Sequence, residues 1–119
     1  MKDISYHDNG QKSFEGTWED DKMNGLWKQW YENGQKSFEG IMVNNELDGK
    51  VTYWYENGQK KREGIYNYGK EVGKWTYWYE NGQKKKEGHY KGVDFEFTPL
   101  RDGEWNSWHE NGQKSFEGT

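Results

Sequence analysis

The chain has 119 residues, a mass of 14.3 kDa, a net charge of −4 and a pI near 5.4. Only 29% of it is hydrophobic, against roughly 45–50% in an ordinary globular domain, and 8 Trp, 9 Tyr and 5 Phe dominate that fraction beside 16 glycines. With no alanine or cysteine, this excludes an aliphatic-cored bundle, a Rossmann-type sheet, thiol chemistry and thiolate metal sites, and the acidic balance points away from nucleic acid.

Met1-Lys2-Asp3 leads directly into patterned sequence without an apolar signal-peptide core, so a cytoplasmic location is the default expectation. From there the chain repeats itself. Asn-Gly-Gln-Lys occurs at Asn9–Lys12, Asn33–Lys36, Asn57–Lys60, Asn81–Lys84 and Asn111–Lys114, and a glycine follows each at a fixed offset: Gly16, Gly40, Gly64, Gly88 and Gly118. Asn-Gly-Gln-Lys-Ser-Phe-Glu-Gly recurs unchanged at three of the five positions. No apolar run exceeds three residues, as at Ile41-Met42-Val43, which is far too short for a transmembrane helix.

Each repeat reads as a β-hairpin. Asn-Gly between aromatic-rich flanks predicts a two-residue type I′ turn, whose central residues both need positive φ. Trp, Tyr, Phe, Thr and Ile suit strands, and helix-capping signals are missing. The turn predicts a register in which Glu32 faces Gln35, Trp30 faces Ser37 and Trp27 faces Gly40. The same rule places Val51, Trp75 and Trp105 opposite Gly64, Gly88 and Gly118, an aromatic cover for sheet glycines. A second set of turns is predicted at Asp20-Asp21, Asn44-Asn45 and Tyr68-Gly69. Their register would put Gly16 opposite Gly25, Gly40 opposite Gly49, and Gly64 opposite Gly73.

The expected fold is therefore all-β, an elongated single-layer antiparallel meander of about five stacked hairpins with little or no helix. The chain reads as one repeat domain over residues 1–119. Its units fall at about 1–19, 20–43, 44–67, 68–91 and 103–119, with an inserted hairpin or loop at 91–102. Alternation puts Trp27, Tyr31, Phe38, Trp18, Met42, Tyr66 and Tyr90 on one face. Trp30, Trp54, Trp78 and Trp108 fall on the other, with Ile41, Ile65 and the Lys28/Glu39 pair. Stability should come from nearest-neighbour contacts, as in other linear arrays.

The pattern Gly-x-Trp-x-x-Trp-Tyr-Glu-Asn-Gly-Gln-Lys-x-x-Glu-Gly-x-Tyr at Gly73–Tyr90 resembles the bacterial variant of the MORN repeat found in YwqK-like antitoxin components. The resemblance spans all five units, with departures at Val51, which replaces the first Trp, at Asp3 and Ile4, and in the last unit, longer by six residues. It implies a meandering sheet with a binding role, no catalytic residues and no cofactor.

Candidate partner-binding residues follow from the pattern. Trp30, Trp54, Trp78 and Trp108 stand one repeat apart and could stack on a peptide, sugar rings or lipid headgroups, or could serve only to keep water from the backbone. In the insertion, Phe95 and Phe97 alternate with acidic residues, and Arg101 follows the single proline, Pro99, which suits an edge or turn. His7 and His109 occupy the tyrosine position of Tyr31, Tyr55 and Tyr79 at opposite ends of the array, where they cannot share a metal ion. The repeated glutamates are copies in one environment, whereas acid–base catalysis needs a pair in different ones.

The leading expectation is a non-enzymatic protein-interaction scaffold, antitoxin- or immunity-like, with a toxin-like protein as partner. The alternative is a carbohydrate or cell-envelope module using the Trp/Tyr ladder. A third reading, membrane-surface binding, is opposed by the net negative charge. Exposed edge strands would also permit self-association.

Overall fold

The structure is a computed structural model describing residues 2–93, 99–112 and 114–118; side chains are described through Lys91, at Arg101 and over 105–112. Eleven strands form one antiparallel sheet, and there is no helix among the described residues. In chain order they are β1 (Lys2–Tyr6), β2 (Lys12–Glu19), β3 (Lys22–Met23), β4 (Gly25–Trp30), β5 (Lys36–Val43) and β6 (Glu46–Trp54). After them come β7 (Lys60–Asn67), β8 (Lys70–Trp78), β9 (Lys84–Val93), β10 (Pro99–Trp108) and β11 (Lys114–Gly118). The order in the sheet is the order in the chain, with β3 pairing beside β4 on β2. Overall extents of 44 × 36 × 17 Å describe a single layer, as the composition predicts.

The two-residue geometry expected at the Asn-Gly turns is found instead at the second set. The two-residue type I′ turns are those at Asp20-Asp21, Asn44-Asn45 and Tyr68-Gly69, where both central residues have positive φ. At the Asn-Gly turns only the glycine does, for instance Gly34 at 89°. There the loop is three residues long: Tyr31 N–H donates to Gln35 O at 2.8 Å and Gly34 N–H to Tyr31 O at 3.0 Å. This is a type I turn followed by a glycine bulge. The asparagine selects it, because Asn33 Oδ1 accepts from Gln35 N–H at 2.9 Å while Asn33 Nδ2 donates to Glu56 O of the next repeat at 2.7 Å.

Register changes accordingly near the turns. Gln35 is closed by Tyr31 rather than Glu32, and Trp30 opposes Lys36 rather than Ser37, with the ladder shifting between Gln29 and Trp30. That shift restores the expected pairing further out, so Trp27 opposes Gly40, Val51 opposes Gly64 and Trp75 opposes Gly88. The glycine-to-glycine pairs do not form. Gly40 faces Val51 on its second side, because the ladder shifts between Gly40 and Met42. Gly49 and Gly73, at φ 105° and 68°, take up the extra length as bulges, a conformation that glycine adopts without steric cost.

A belt results in which glycine alternates with a large side chain: Gly16, Trp27, Gly40, Val51, Gly64, Trp75, Gly88, Trp105. Each ring leans back over the preceding glycine rather than over its hairpin partner. A Cβ at Gly16, Gly64 or Gly88 would overlap the ring of Trp27, Trp75 or Trp105. Trp75 and Val51 are 0% and 1% exposed and Trp105 2%, and the indole N–H groups of Trp75 and Trp105 donate to Ile65 O and His89 O, both at 3.1 Å. Phe38, Tyr66 and Met42 complete the buried set. The core is therefore one face of the sheet, covered by its own aromatic side chains.

Candidate functional site

Three rows of side chains run across the covered face. The belt lies in the middle. On one side Trp18, Tyr66 and Tyr90 meet the belt tryptophans edge-on, with centroids 6.0, 5.1 and 5.0 Å from Trp27, Trp75 and Trp105. On the turn side runs a row whose chemistry changes along the array. In the first two units it carries Phe14 and Phe38, packed on Trp27 at 4.7 Å and on Tyr53 at 4.9 Å. In the third and fourth units the same position is Arg62 and Lys86, because Ser-Phe after the Asn-Gly-Gln-Lys turn is replaced by Lys61-Arg62 and Lys85-Lys86.

Both cations lie on aromatic rings. The Arg62 guanidinium sits 4.1 Å from the Tyr53 centroid and Lys86 Nζ 4.6 Å from that of Tyr77. Lys61 and Lys85, at the bulge, stand 5.7 and 5.8 Å from the Tyr55 and Tyr79 rings. Such contacts contribute about 0.5–1 kcal/mol when exposed and more when desolvated. Arg101 lies 4.4 Å from the Trp105 ring. Lys61, Arg62, Lys85 and Lys86, with Tyr53, Tyr55, Tyr77 and Trp78, line an open depression of about 490 Å³. Among the described residues, no carboxylate forms an ion pair with any of these five cations. Burial, then Arg101, then Lys85 lowers the Lys86 pKa from its ordinary value. The Tyr66 and Tyr77 hydroxyls are pushed well above theirs, chiefly by burial and then by hydrogen bonds with Tyr53 and Tyr90.

The opposite face is a charge ladder. Glu63 accepts from Thr52 Oγ1 at 2.9 Å and Lys60 Nζ at 3.0 Å, with Lys50 at 3.8 Å. Glu87 repeats the set with Thr76, Lys84 and Lys74. These carboxylates are thus copies in one environment. Partial burial pushes each up, but the threonine and lysine hydrogen bonds outweigh it and hold both below the ordinary value. A depressed folded-state pKa gives stability that is present above the unfolded value, about 4.3, and is lost as pH falls through the folded one. Thermal melts should therefore show the midpoint falling as pH is taken from neutrality to below about 4. Glu63→Gln/Glu87→Gln should flatten that fall, and an equally steep one would refute this assignment.

The four tryptophans proposed from the sequence lie beside the Asn-Gly turns, and each has a lysine of the preceding repeat over it. Lys12, Lys36, Lys60 and Lys84 Nζ stand 5.8, 5.7, 5.8 and 5.7 Å from the rings of Trp30, Trp54, Trp78 and Trp108. The carbonyls of Trp54, Trp78 and Trp108 accept from Tyr31, Tyr55 and Tyr79 Oη at 2.6–2.8 Å. His7 Nε2 lies 2.8 Å from Trp30 O, filling the tyrosine's role. Phe95 and Phe97 lie outside the described residues. Arg101 opposes Tyr90, which brings it to the cationic row. Pro99 opens β10 opposite Val93, where its missing N–H is tolerated. The Lys61-Arg62 and Lys85-Lys86 pairs were not among the sequence candidates; comparing what replaces Ser-Phe between units would have found them.

The model for the MORN repeat variant matches residues 23–44, 47–68, 71–91 and 101–119, together more than half the chain. No curated protein matches it. The first hairpin, outside the matched spans, makes the same links, with Asn9 Nδ2 donating to Glu32 O at 2.7 Å. No helix is long and apolar enough to cross a membrane among the described residues.

Proposed function

The chain belongs to the MORN repeat variant family, and on that footing we propose that it is a non-enzymatic scaffold that binds a partner protein. MORN repeats are generally protein- or membrane-binding scaffolds without catalysis. The observation that carries the reading is the aromatic face of a single-layer sheet, where rings and cations without an ion pair among the described residues share an open depression. Depressions mixing aromatic rings with a few polar groups are the usual seats of recognition. The antitoxin- or immunity-like role, with a toxin-like partner, is proposed on the resemblance of the Gly73–Tyr90 pattern to YwqK-like antitoxin repeats alone. Sugar stacking fits less well, because it needs bare ring faces and each ladder tryptophan carries a lysine.

The test is recovery of a partner with the full chain from its native cell, followed by titration of the two purified proteins. Saturable binding at a fixed ratio, and relief of the partner's toxicity on co-expression, are the expected results. Recovery of the chain alone, or quenching of its tryptophan fluorescence by envelope glycans and by no protein, would overturn the reading.

A further inference from the structure

Each cation in the depression has a counterpart of different chemistry elsewhere in the array. Ser13-Phe14, Ser37-Phe38 and Ser115-Phe116 occupy the positions filled by Lys61-Arg62 and Lys85-Lys86. The phenylalanine version is a complete packing solution, as Phe38 on Tyr53 demonstrates at 4.9 Å. The cations are therefore not required by the fold. They add four positive charges in two adjacent units, and the lengthened β9–β10 hairpin brings Arg101 close enough to disfavour the charged form of Lys86.

Like charges gathered on a half-buried aromatic floor cost stability unless an anion compensates them. Beside the Asn-Gly turns the chain does pair its lysines: Lys36, Lys60 and Lys84 each reach a glutamate three residues on. Here Glu71, the acid opposite Tyr66, forms no ion pair with Arg62. The cluster also sits on a chain whose net charge is −4. A broad anionic surface would meet that overall repulsion, whereas a narrow acidic segment touches the cluster alone.

We infer that the depression between Tyr53 and Tyr77 seats an acidic segment of the partner protein, its carboxylates on Lys61, Arg62, Lys85 and Lys86. This rests on the protein-binding reading above. The Arg62 guanidinium lies 4.1 Å from the Tyr53 centroid, and its planar N–H fork is the group that takes a carboxylate in two parallel bonds.

The test uses the full chain with fluorescein-labelled oligoglutamate as probe, oligolysine as its control, and phosphatidylserine vesicles as the competing surface. Oligoglutamate should bind saturably at low salt and weaken as salt rises, while oligolysine does not bind. Lys61→Ser/Arg62→Phe/Lys85→Ser/Lys86→Phe writes the chain's own Ser-Phe into both units. It should lower the affinity at least about tenfold, the loss of roughly 1.4 kcal/mol. Should that variant not fold, Lys61→Gln/Lys85→Gln removes two exposed charges alone and should still weaken binding several-fold. Unchanged affinity in either folded variant overturns the inference, as does sedimentation with vesicles without oligoglutamate binding. Ser-Phe variants that lose oligoglutamate yet hold the native partner also overturn it and leave the scaffold reading standing. Charge-dependent oligoglutamate binding in a chain that holds no protein partner supports the acidic chemistry and sinks the scaffold reading instead.

Discussion

Replacing Trp75 with alanine is expected to lower the folding free energy by about 3–5 kcal/mol, a large share of the roughly 5–15 kcal/mol that holds a typical domain together. The ring is 0% exposed, touches Tyr66 and Tyr77, and covers the backbone at Gly64. Among the described residues no second layer is present to collapse into the space. Gly64→Ala attacks the same contact from the other side, because the added Cβ falls on the base of the indole, and should cost about 1–3 kcal/mol. Combining the two separates mechanism from mere damage. With the ring gone, the methyl group has room, so Gly64→Ala should be nearly neutral in the Trp75→Ala background. Urea unfolding of the four proteins gives the coupling energy. Additive losses would mean that ring and glycine do not act as a unit.

Asn57→Asp is expected to cost about 1 kcal/mol or more, although Asp-Gly also suits a tight turn. Asn57 Oδ1 accepts from Gln59 N–H at 2.9 Å, and aspartate preserves that bond. The difference is the other atom. Asn57 Nδ2 donates to Glu80 O at 2.6 Å, and aspartate would set an anionic oxygen against that carbonyl. Asn57→Ala removes both bonds and should cost about 1–3 kcal/mol. If Asn57→Asp melts like the wild type, the link between successive turns contributes nothing and the asparagine serves its own hairpin alone.

How far the sequence reveals this molecule depends on which interactions are local. The repeat, the meander and the tryptophan-on-glycine belt are legible because period-two alternation and the fixed 24-residue spacing set them. The turn type is not, because Asn-Gly suits both a two-residue turn and the last two positions of a three-residue loop, and the same dipeptide stands in either. Trp27 nevertheless meets Gly40 as expected, since the longer loop and the bulge beyond it shift the register in opposite senses. No such compensation operates at Gly49 and Gly73, whose positive φ admits bulges where regular pairing was expected. The cationic row is hidden by the repeat itself. Its signal lies in Arg62 and Lys86, the places where the repeat is broken.

The side-chain links between successive Asn-Gly turns all point one way. Asn9, Asn33, Asn57 and Asn81 each donate to the unit that follows, and Tyr31, Tyr55 and Tyr79 do the same. Along that edge the array is thus a directed lattice, with a donor side and an acceptor side at each joint. Excising one whole unit would bring an unaltered donor side against an unaltered acceptor side. Reach along the sheet is therefore adjustable in steps of two strands, about 9.6 Å each, without redesigning any joint.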